Sequence, residues 1–449
     1  MNLARSFRSL RNPNYRLWAA GALVSNVGTW VQRTAQSWLV LTQLTHHDAS
    51  AVGIVMALQY APQMLLLPWT GYAADHFDQR RLLRATQALM GVLAFGLGVI
   101  VVAGVARLWH VYLFALLFGS VAAFDAPVRQ TFVTSLVGDA DLANAVALNS
   151  TVFNAARMIG PGVAGLVISS IGTGWAFVAN GLSFGAVLVS LSRLRVSEQH
   201  PGARSRRAQG GLAAGVRYVR GRPDLLAILA MLFLIGTFGL NFQIYISTMA
   251  VDVFHTGASG FGLLSSIMAI GTIAGALVAA GRDRPTLRTL LGGCVVFGIG
   301  CACAALAPGF WIFGAMLVVV GVAALTITNS SNSLMQLSTE PGMRGRVTAL
   351  RVAIVMGGTP IGAPIVGWVA DRFGPRWSLG VGAAAGVAAA VVALRAMRRQ
   401  ARDALAEAEA EAEAEAEAET SDESGGRHGG DAAVEHEADG GASRSRSSR

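Results

Sequence analysis

Two stretches of this chain repeat one another at an offset of about 202 residues. Ile159-Gly160 returns as Ile361-Gly362, Gly165 as Gly367, Ala147-Leu148 as Ala349-Leu350, and the pair Gly172 and Trp175 as Gly374 and Trp377. Small residues also recur in membrane helices simply to let them pack, so coincidence is the plain alternative. A fixed offset that carries several glycines and a tryptophan points instead to two halves of parallel topology. Such halves are related by an axis along the membrane normal, and a shared site falls at their junction near the bilayer midplane.

Composition places these halves in lipid. Hydrophobic residues make up 53% of the chain and charged residues 14%, with a mean hydropathy of +0.50, whereas soluble domains carry about 25% charge. Apolar segments fall near 17–44, 50–74, 82–106, 109–132, 143–170 and 174–194, then near 224–251, 259–280, 286–307, 309–333, 346–370 and 377–396. Each approaches or exceeds the roughly 20 residues a bilayer requires. The expected fold is all-α and integral to the membrane: twelve transmembrane helices in two six-helix pseudo-symmetric bundles, residues 17–194 and 224–398. A basic lead-in (1–16) precedes them, a linker (195–223) joins them and a tail (399–449) follows.

All the fixed positive charge is arginine, since the sequence has no lysine. The arginines fall in alternate connections: Arg5 to Arg16, Arg80 and Arg81, the 195–223 linker, Arg282 to Arg288, and Arg344 with Arg346. The opposite loops hold few beyond Arg107 and the Arg372/Arg376 turn. This asymmetry puts both termini in the cytoplasm of a protein of the inner (plasma) membrane. It also accounts for a net charge of +9 without nucleic acid as a partner. Cys294, Cys301 and Cys303 read as small core residues, because Cys301 and Cys303 point to different helix faces; no metal site and no cofactor motif is read. The first apolar run is long and lacks a small-residue cleavage site, so no cleavable signal peptide is expected. Alternating Ala and Glu from Glu407 to Glu419 cannot form one apolar face. The tail reads as a solvated helix or disorder, either a docking tail or a dispensable extension.

Polar and helix-breaking residues are costly in hydrocarbon and so mark where function is sought. Asn26, Trp30, Arg33 and Ser37 recur at helical spacing and form one stripe. Arg33 either meets a substrate or internal partner, or reaches an interface by snorkelling. Asn26, Trp30 and Arg33, with Gln59, Gln63, Asn149, Arg157, Asn241, Tyr245, Asn329 and Asn332, are the candidate substrate contacts; the competing reading for each is a hydrogen bond to a neighbouring helix. Gly160, Pro161, Gly165, Gly362 and Pro364 are candidate bending points, or else close-packing points. Asp125 and Arg129 flank Pro127 at one end of the fourth segment.

These marks together resemble the major facilitator superfamily, and within it the drug and siderophore exporter branch that includes enterobactin exporters and macrolide efflux proteins. The resemblance rests on LRNPNYRLW at 10–18, Gly28 to Gln32, FDAPVRQ at 124–130, LANAVALNS through ARMIGP at 142–161, and GVRYVRGRP at 215–223. Residues 71–81 are similar to the superfamily signature between the second and third helices, carried by Gly71, Asp75 and Arg80. His76 and Asp78 stand where a basic residue and a glycine are usual, with Arg81 as possible compensation. The glycine–proline element of the fifth helix resembles the antiporter motif through Gly160, Pro161 and Gly165, with Ala164 in place of a glycine. The arginine typical of the fourth helix in related drug antiporters is missing. The resemblance implies that Gly71 allows close helix approach, that Asp75 meets a helix N-terminus of the other half, and that Arg80 pairs with Asp125. Such contacts hold the cytoplasmic side shut in the outward-facing state. Asp125 has the rival role of carrying a coupling proton. Residues 367–374 copy the signature in letters but fall on the opposite side, and read as a turn.

The leading reading is a secondary active transporter. It exports a small amphipathic molecule (drug, siderophore or secondary metabolite) in exchange for protons, as a monomer in the lipid bilayer. The absence of an acidic cluster, with Arg33 and Arg157 present, suits an anionic or neutral cargo. An uncoupled facilitator or importer of a small solute is the alternative, and a scaffold or membrane enzyme stands behind it. No GxxxxGK[ST] phosphate loop is present for a primary pump. His46, His47 and His255 lack the partner pattern of an enzyme.

Overall fold

A computed structural model describes residues 8–194, 212–280 and 285–430. The first helix starts where the Asn12 side chain accepts from the backbone N–H groups of Asn14 and Tyr15, with Pro13 at the first helical position, where its missing N–H costs nothing. This is α1 (Pro13–Leu39), prolonged by a π turn, Val40–Leu44. The second span is in two pieces, α2 (Ala49–Leu65) and α3 (Leu67–His76), broken at Leu66 because Pro68 offers no backbone N–H. Then come α4 (Gln79–Val102), α5 (Leu108–Leu136), α6 (Asp139–Ile171) and α7 (Thr173–Arg193). The short basic α8 (Leu212–Arg220) leads into a seventh span made of α9 (Pro223–Leu234) and α10 (Phe242–Thr248) with π turns at Ile235–Gly239 and Met249–Val253. The chain continues as α11 (Ala258–Ala280), α12 (Leu287–Ala305), α13 (Phe310–Leu337), α14 (Arg344–Phe373) and α15 (Pro375–Gly430).

Ten described helices are long and apolar enough to cross a membrane. The first two spans complete the set of twelve: α1 is interrupted by its polar stripe and α2 is short. The expected segments are thus all present as helices. The offset repeat is visible in backbone geometry, since Gly172 between α6 and α7 and Gly374 between α14 and α15 have φ of 98° and 101°. That region of backbone space admits glycine without strain.

The halves meet along two seams, α2 on α14 and α6 on α11. Glycines set the distance. A methyl group at Gly53 would strike the backbone of Ala363 and Pro364, one at Gly367 that of Ala49 and Ser50, one at Gly165 that of Ala258 and Ser259, and one at Gly262 that of Pro161. Backbone-close packing of this kind is what small residues do in lipid. α6 and α14 run unbroken through Pro161, Pro360 and Pro364. Here Gly160, Gly165 and Gly362 are packing points: Gly160 lies against Trp30 and Gly362 against the Thr237 carbonyl.

We call the face that carries the start of α2 and the end of α14 the Asp371 face. The face with Arg8 and Leu394 is the terminal face. Both halves belong to one compact unit ending at Leu394. A second unit begins at Arg395; its helix runs to Gly430, and its side chains are exposed from residue 401 to 413. Cys294 and Cys301 are buried and Cys303 is exposed.

Candidate translocation site

A cavity of about 160 Å³ lies between the halves. From the first half it is lined by Trp30 and Thr34 of α1, Met56 and Tyr60 of α2, and Arg157 and Pro161 of α6. Opposite are Leu240, Phe242, Gln243 and Ile246 of the seventh span and Phe261, Ser265, Met268, Ala269 and Thr272 of α11. Arg33 reaches the same ring system: its Nη1 donates to the Tyr60 hydroxyl at 3.0 Å, and its guanidinium lies 5.0 Å from the centre of the Trp30 ring. Arg157 lies 5.6 Å from the same ring centre. Of the sequence candidates, Trp30, Arg33 and Arg157 therefore come together.

The others do not line this cavity. Asn241 and Tyr245 are fully buried. Asn241 donates to the Thr237 carbonyl at 2.7 Å and the Tyr245 hydroxyl to the Phe238 carbonyl. They satisfy carbonyls freed where the seventh span leaves helical geometry, so substrate contact by these two is corrected to a structural role. Gln59 is buried, its backbone against Gly119 of its own half and its side-chain Nε2 without a hydrogen-bond partner. Asn332 accepts from Gln336 on its own helix at 3.3 Å. Asn26, Gln63, Asn149 and Asn329 are half-buried outside the cavity lining. Tyr60, Phe242 and Gln243 line the cavity without having been among the sequence candidates; Gln243 accepts from Ser37 across the halves at 3.3 Å.

The Asp371 face is closed by side chains. The Asp371 carboxylate accepts from the backbone N–H groups of Ala49 (2.7 Å) and Ser50 (2.8 Å) and from the Ser50 hydroxyl. Asp48 accepts from Ala51 N–H at 2.8 Å, so two carboxylates, one from each half, share the exposed N–H groups of α2. His47 lies 2.7 Å from Asp252, again across the halves. The 367–374 segment is thus a contact between halves, and, against the expected turn, residues 367–373 are the helical end of α14, which stops at Gly374. The signal was present in the sequence: Gly, Ala, Asp and Phe recur in Gly367-Trp-Val-Ala-Asp371-Arg-Phe as in Gly71-Tyr-Ala-Ala-Asp75-His-Phe.

The terminal face is parted. No atom lies within 4 Å of a methyl group built at Gly71, and Leu65, Trp69 and Tyr72 are exposed. The close approach expected of Gly71 is not made in this conformation. The Asp75 side chain lies outside the described residues. Arg80 does not pair with Asp125 in this conformation; the pair was expected where the cytoplasmic side is shut. Its guanidinium donates to the Leu191 carbonyl (2.9 and 2.5 Å) and to those of Ser192 and Leu194 (3.3 Å each), joined by Arg84 at 3.1 Å from Leu191. These arginines cap α7, whose last carbonyls lack helical partners. Asp78, in place of the usual glycine, caps α4 through the Arg81 N–H at 2.7 Å. Asp125 is 4% exposed and takes hydrogen bonds from Thr86 (2.8 Å), Gln87 (2.7 Å) and Arg129 Nε (2.9 Å). All its partners belong to the first half.

The comparisons agree with this architecture. A family model described as transmembrane secretion effector matches residues 4–427. The chain is 28% identical over 260 residues to the staphyloferrin A transporter of Staphylococcus aureus, a match that covers 56% of this chain and 63% of that protein. It is 26% identical over 370 residues to the multidrug efflux pump Tap of Mycolicibacterium fortuitum, covering 79% and 88%. A solved bacterial homologue of the human lysosomal transporter Spinster, in an inward-facing and unoccupied conformation, superposes with a TM-score of 0.72 at 15% identity, over 86% of this chain and 97% of that one. With twelve spans in two similar halves and a polar cavity between them, the chain belongs to the transmembrane secretion effector family of the major facilitator superfamily: it is a multi-pass membrane transporter.

Proposed function

We propose that the chain exports a small amphipathic molecule from the cytoplasm in exchange for protons, by alternating access of the cavity between its halves. The observation that carries this reading is the pairing of a lined cavity with one sealed face and one parted face. The terminal face is the cytoplasmic one on this reading, which places both termini inside and the conformation inward-open. The two matching segments then work in turn. Asp371 holds the start of α2 while cargo enters; Asp75, at the end of α3, would hold a helix start of the second half once the cytoplasmic face closes and Gly71 gains its neighbour. A few kcal/mol at each contact is enough to swing a two-state population.

The test is purified full-length protein in liposomes with an internal pH dye and an imposed pH gradient. Export by exchange predicts that candidate drugs or siderophores added on the cargo-binding side release protons in a saturable way, and that a gradient drives cargo uphill. Cargo movement that only runs downhill and moves no protons would leave the facilitator reading. That second reading has its own support, because no Asp, Glu or His is among the described cavity-lining residues.

Asp125 is proposed to be a structural charge of the first half and not the proton carrier. Breaking a buried ion pair on one side costs about 3–5 kcal/mol, whereas replacing both partners is often close to neutral. Asp125→Asn should therefore lower the unfolding temperature in detergent, and Asp125→Asn with Arg129→Gln should recover most of the loss while keeping proton release. A stable single variant that transports cargo without moving protons would reverse the assignment.

A further inference from the structure

Two guanidinium groups lie near one ring at the cavity: Arg157 lines it, and Arg33 lies beside it against Trp30 and Tyr60. Arg33 and Arg157 lie 5.0 and 5.6 Å from the centre of the Trp30 ring, and Arg33 lies 5.4 Å from that of Tyr60. Among the described residues, neither takes part in an ion pair and no carboxylate lines the cavity. Arg33 Nε is buried with no hydrogen-bond partner. Ring faces attract cations, yet they leave the N–H donors in the guanidinium plane unused. Buried positive charge without a counter-charge is unfavourable, and two such charges side by side repel one another. The arrangement lacks an anion.

We infer that the cargo is an organic anion with a flat apolar body, its negative group held between Arg33 and Arg157 and its body laid against Trp30 and Tyr60; this rests on the transport reading above. The planar guanidinium fork matches the paired oxygens of a carboxylate, sulfonate or phosphate ester. Phe242 and Phe261 of the second half supply the apolar wall opposite, so a bound anion touches both halves and can bias the equilibrium between their arrangements. A lipophilic cation meets two like charges here. A neutral molecule leaves both arginines uncompensated, which a site built around polar groups rejects.

The test uses the full-length protein in nanodiscs of zwitterionic lipid, with 1-naphthoate, 1-naphthamide and 1-naphthylmethylammonium as probes of one shape and three charges. Equilibrium dialysis against empty nanodiscs should show saturable binding of naphthoate at least about tenfold tighter than of the other two. Arg33→Gln and Arg157→Gln should each weaken naphthoate by about tenfold to a hundredfold. The charge-keeping variants Arg33→Lys and Arg157→Lys should bind naphthoate more tightly than the Gln variants and more weakly than the parent, which separates lost charge from lost fold. Equal affinity for the three probes, naphthoate binding unchanged in both Gln variants, or no saturable naphthoate binding would each overturn the proposal. If the amide or ammonium probe drives saturable proton release in liposomes while naphthoate does not, the anion assignment falls and the exporter reading stands.

Discussion

Asp371→Asn should open the face that Asp371 closes. The carboxylate takes two backbone N–H groups of α2 and the Ser50 hydroxyl. Asparagine keeps the shape, offers one good acceptor in place of two and removes the charge that favours a helix N-terminus. Hydrogen bonds to charged groups contribute about 1.5–3 kcal/mol each when buried. Asp371 is exposed, so a total of about 2 kcal/mol is the reasonable scale, which is roughly a 30-fold change in the ratio of two conformations. Spin labels at His46 and Arg372, exposed residues of opposite halves on this face, should report a second, longer distance in the variant. Distance distributions that match the parent protein in both Asp371→Asn and Asp371→Ala would show that the contact holds nothing shut. Asp371→Glu is the useful companion, since it keeps the charge and should lie between.

Gly362→Ala should cost the fold rather than the cycle. A methyl group there would occupy the space of the Thr237 carbonyl oxygen, and Gly358 is held against Thr237 in the same way. Both partners sit within the second half, where α14 crosses the π turn Ile235–Gly239. Overpacking a core usually costs about 1–3 kcal/mol; a clash with backbone, which cannot rotate away, should exceed that range. The expected result is little folded protein after extraction, or an unfolding temperature several degrees lower. Gly71→Ala is the contrast, because nothing lies near enough to strike. It should leave the unfolding temperature unchanged while slowing transport, if closing the terminal face brings a helix against that position. A Gly362→Ala protein as stable as its parent would mean that α14 can shift away from the seventh span at little cost.

Much of the fold was legible because lipid is a severe solvent. Every backbone polar group must be satisfied within the chain, so apolar length alone located the spans. The repeat offset located the junction, and the paired φ values at Gly172 and Gly374 show that it was a repeat of geometry as well as of letters. The site was less legible. A stripe of four polar residues on α1 told which helix faces inward, yet it could not tell Trp30 and Arg33, which reach the cavity, from Asn26, which does not line it. Asn241 and Tyr245 misled for a physical reason: a helix that changes to π geometry frees carbonyls, and polar side chains that serve those carbonyls look in sequence like side chains that serve a ligand. Asp125 and Arg80 were expected to pair only in the outward-facing state. In the present conformation each is satisfied inside its own half, and the partnership across halves lies on the opposite face, at a segment that topology had marked as a turn.

The two seams of that face are unlike. The offset places Ser169 where the second repeat has Asp371, and the Ser169 hydroxyl bonds back to Leu166 of its own helix at 3.1 Å. The α2–α14 edge is therefore clasped by directional bonds, which fail within a fraction of an ångström. The α6–α11 edge is mostly small residues in backbone contact, with the Ser266 hydroxyl donating to the Met158 carbonyl at 3.3 Å deeper along the seam, and such packing loses dispersion energy gradually as helices slide. The polar contacts that close this face therefore gather at the start of α2, on His47, Ala49 and Ser50.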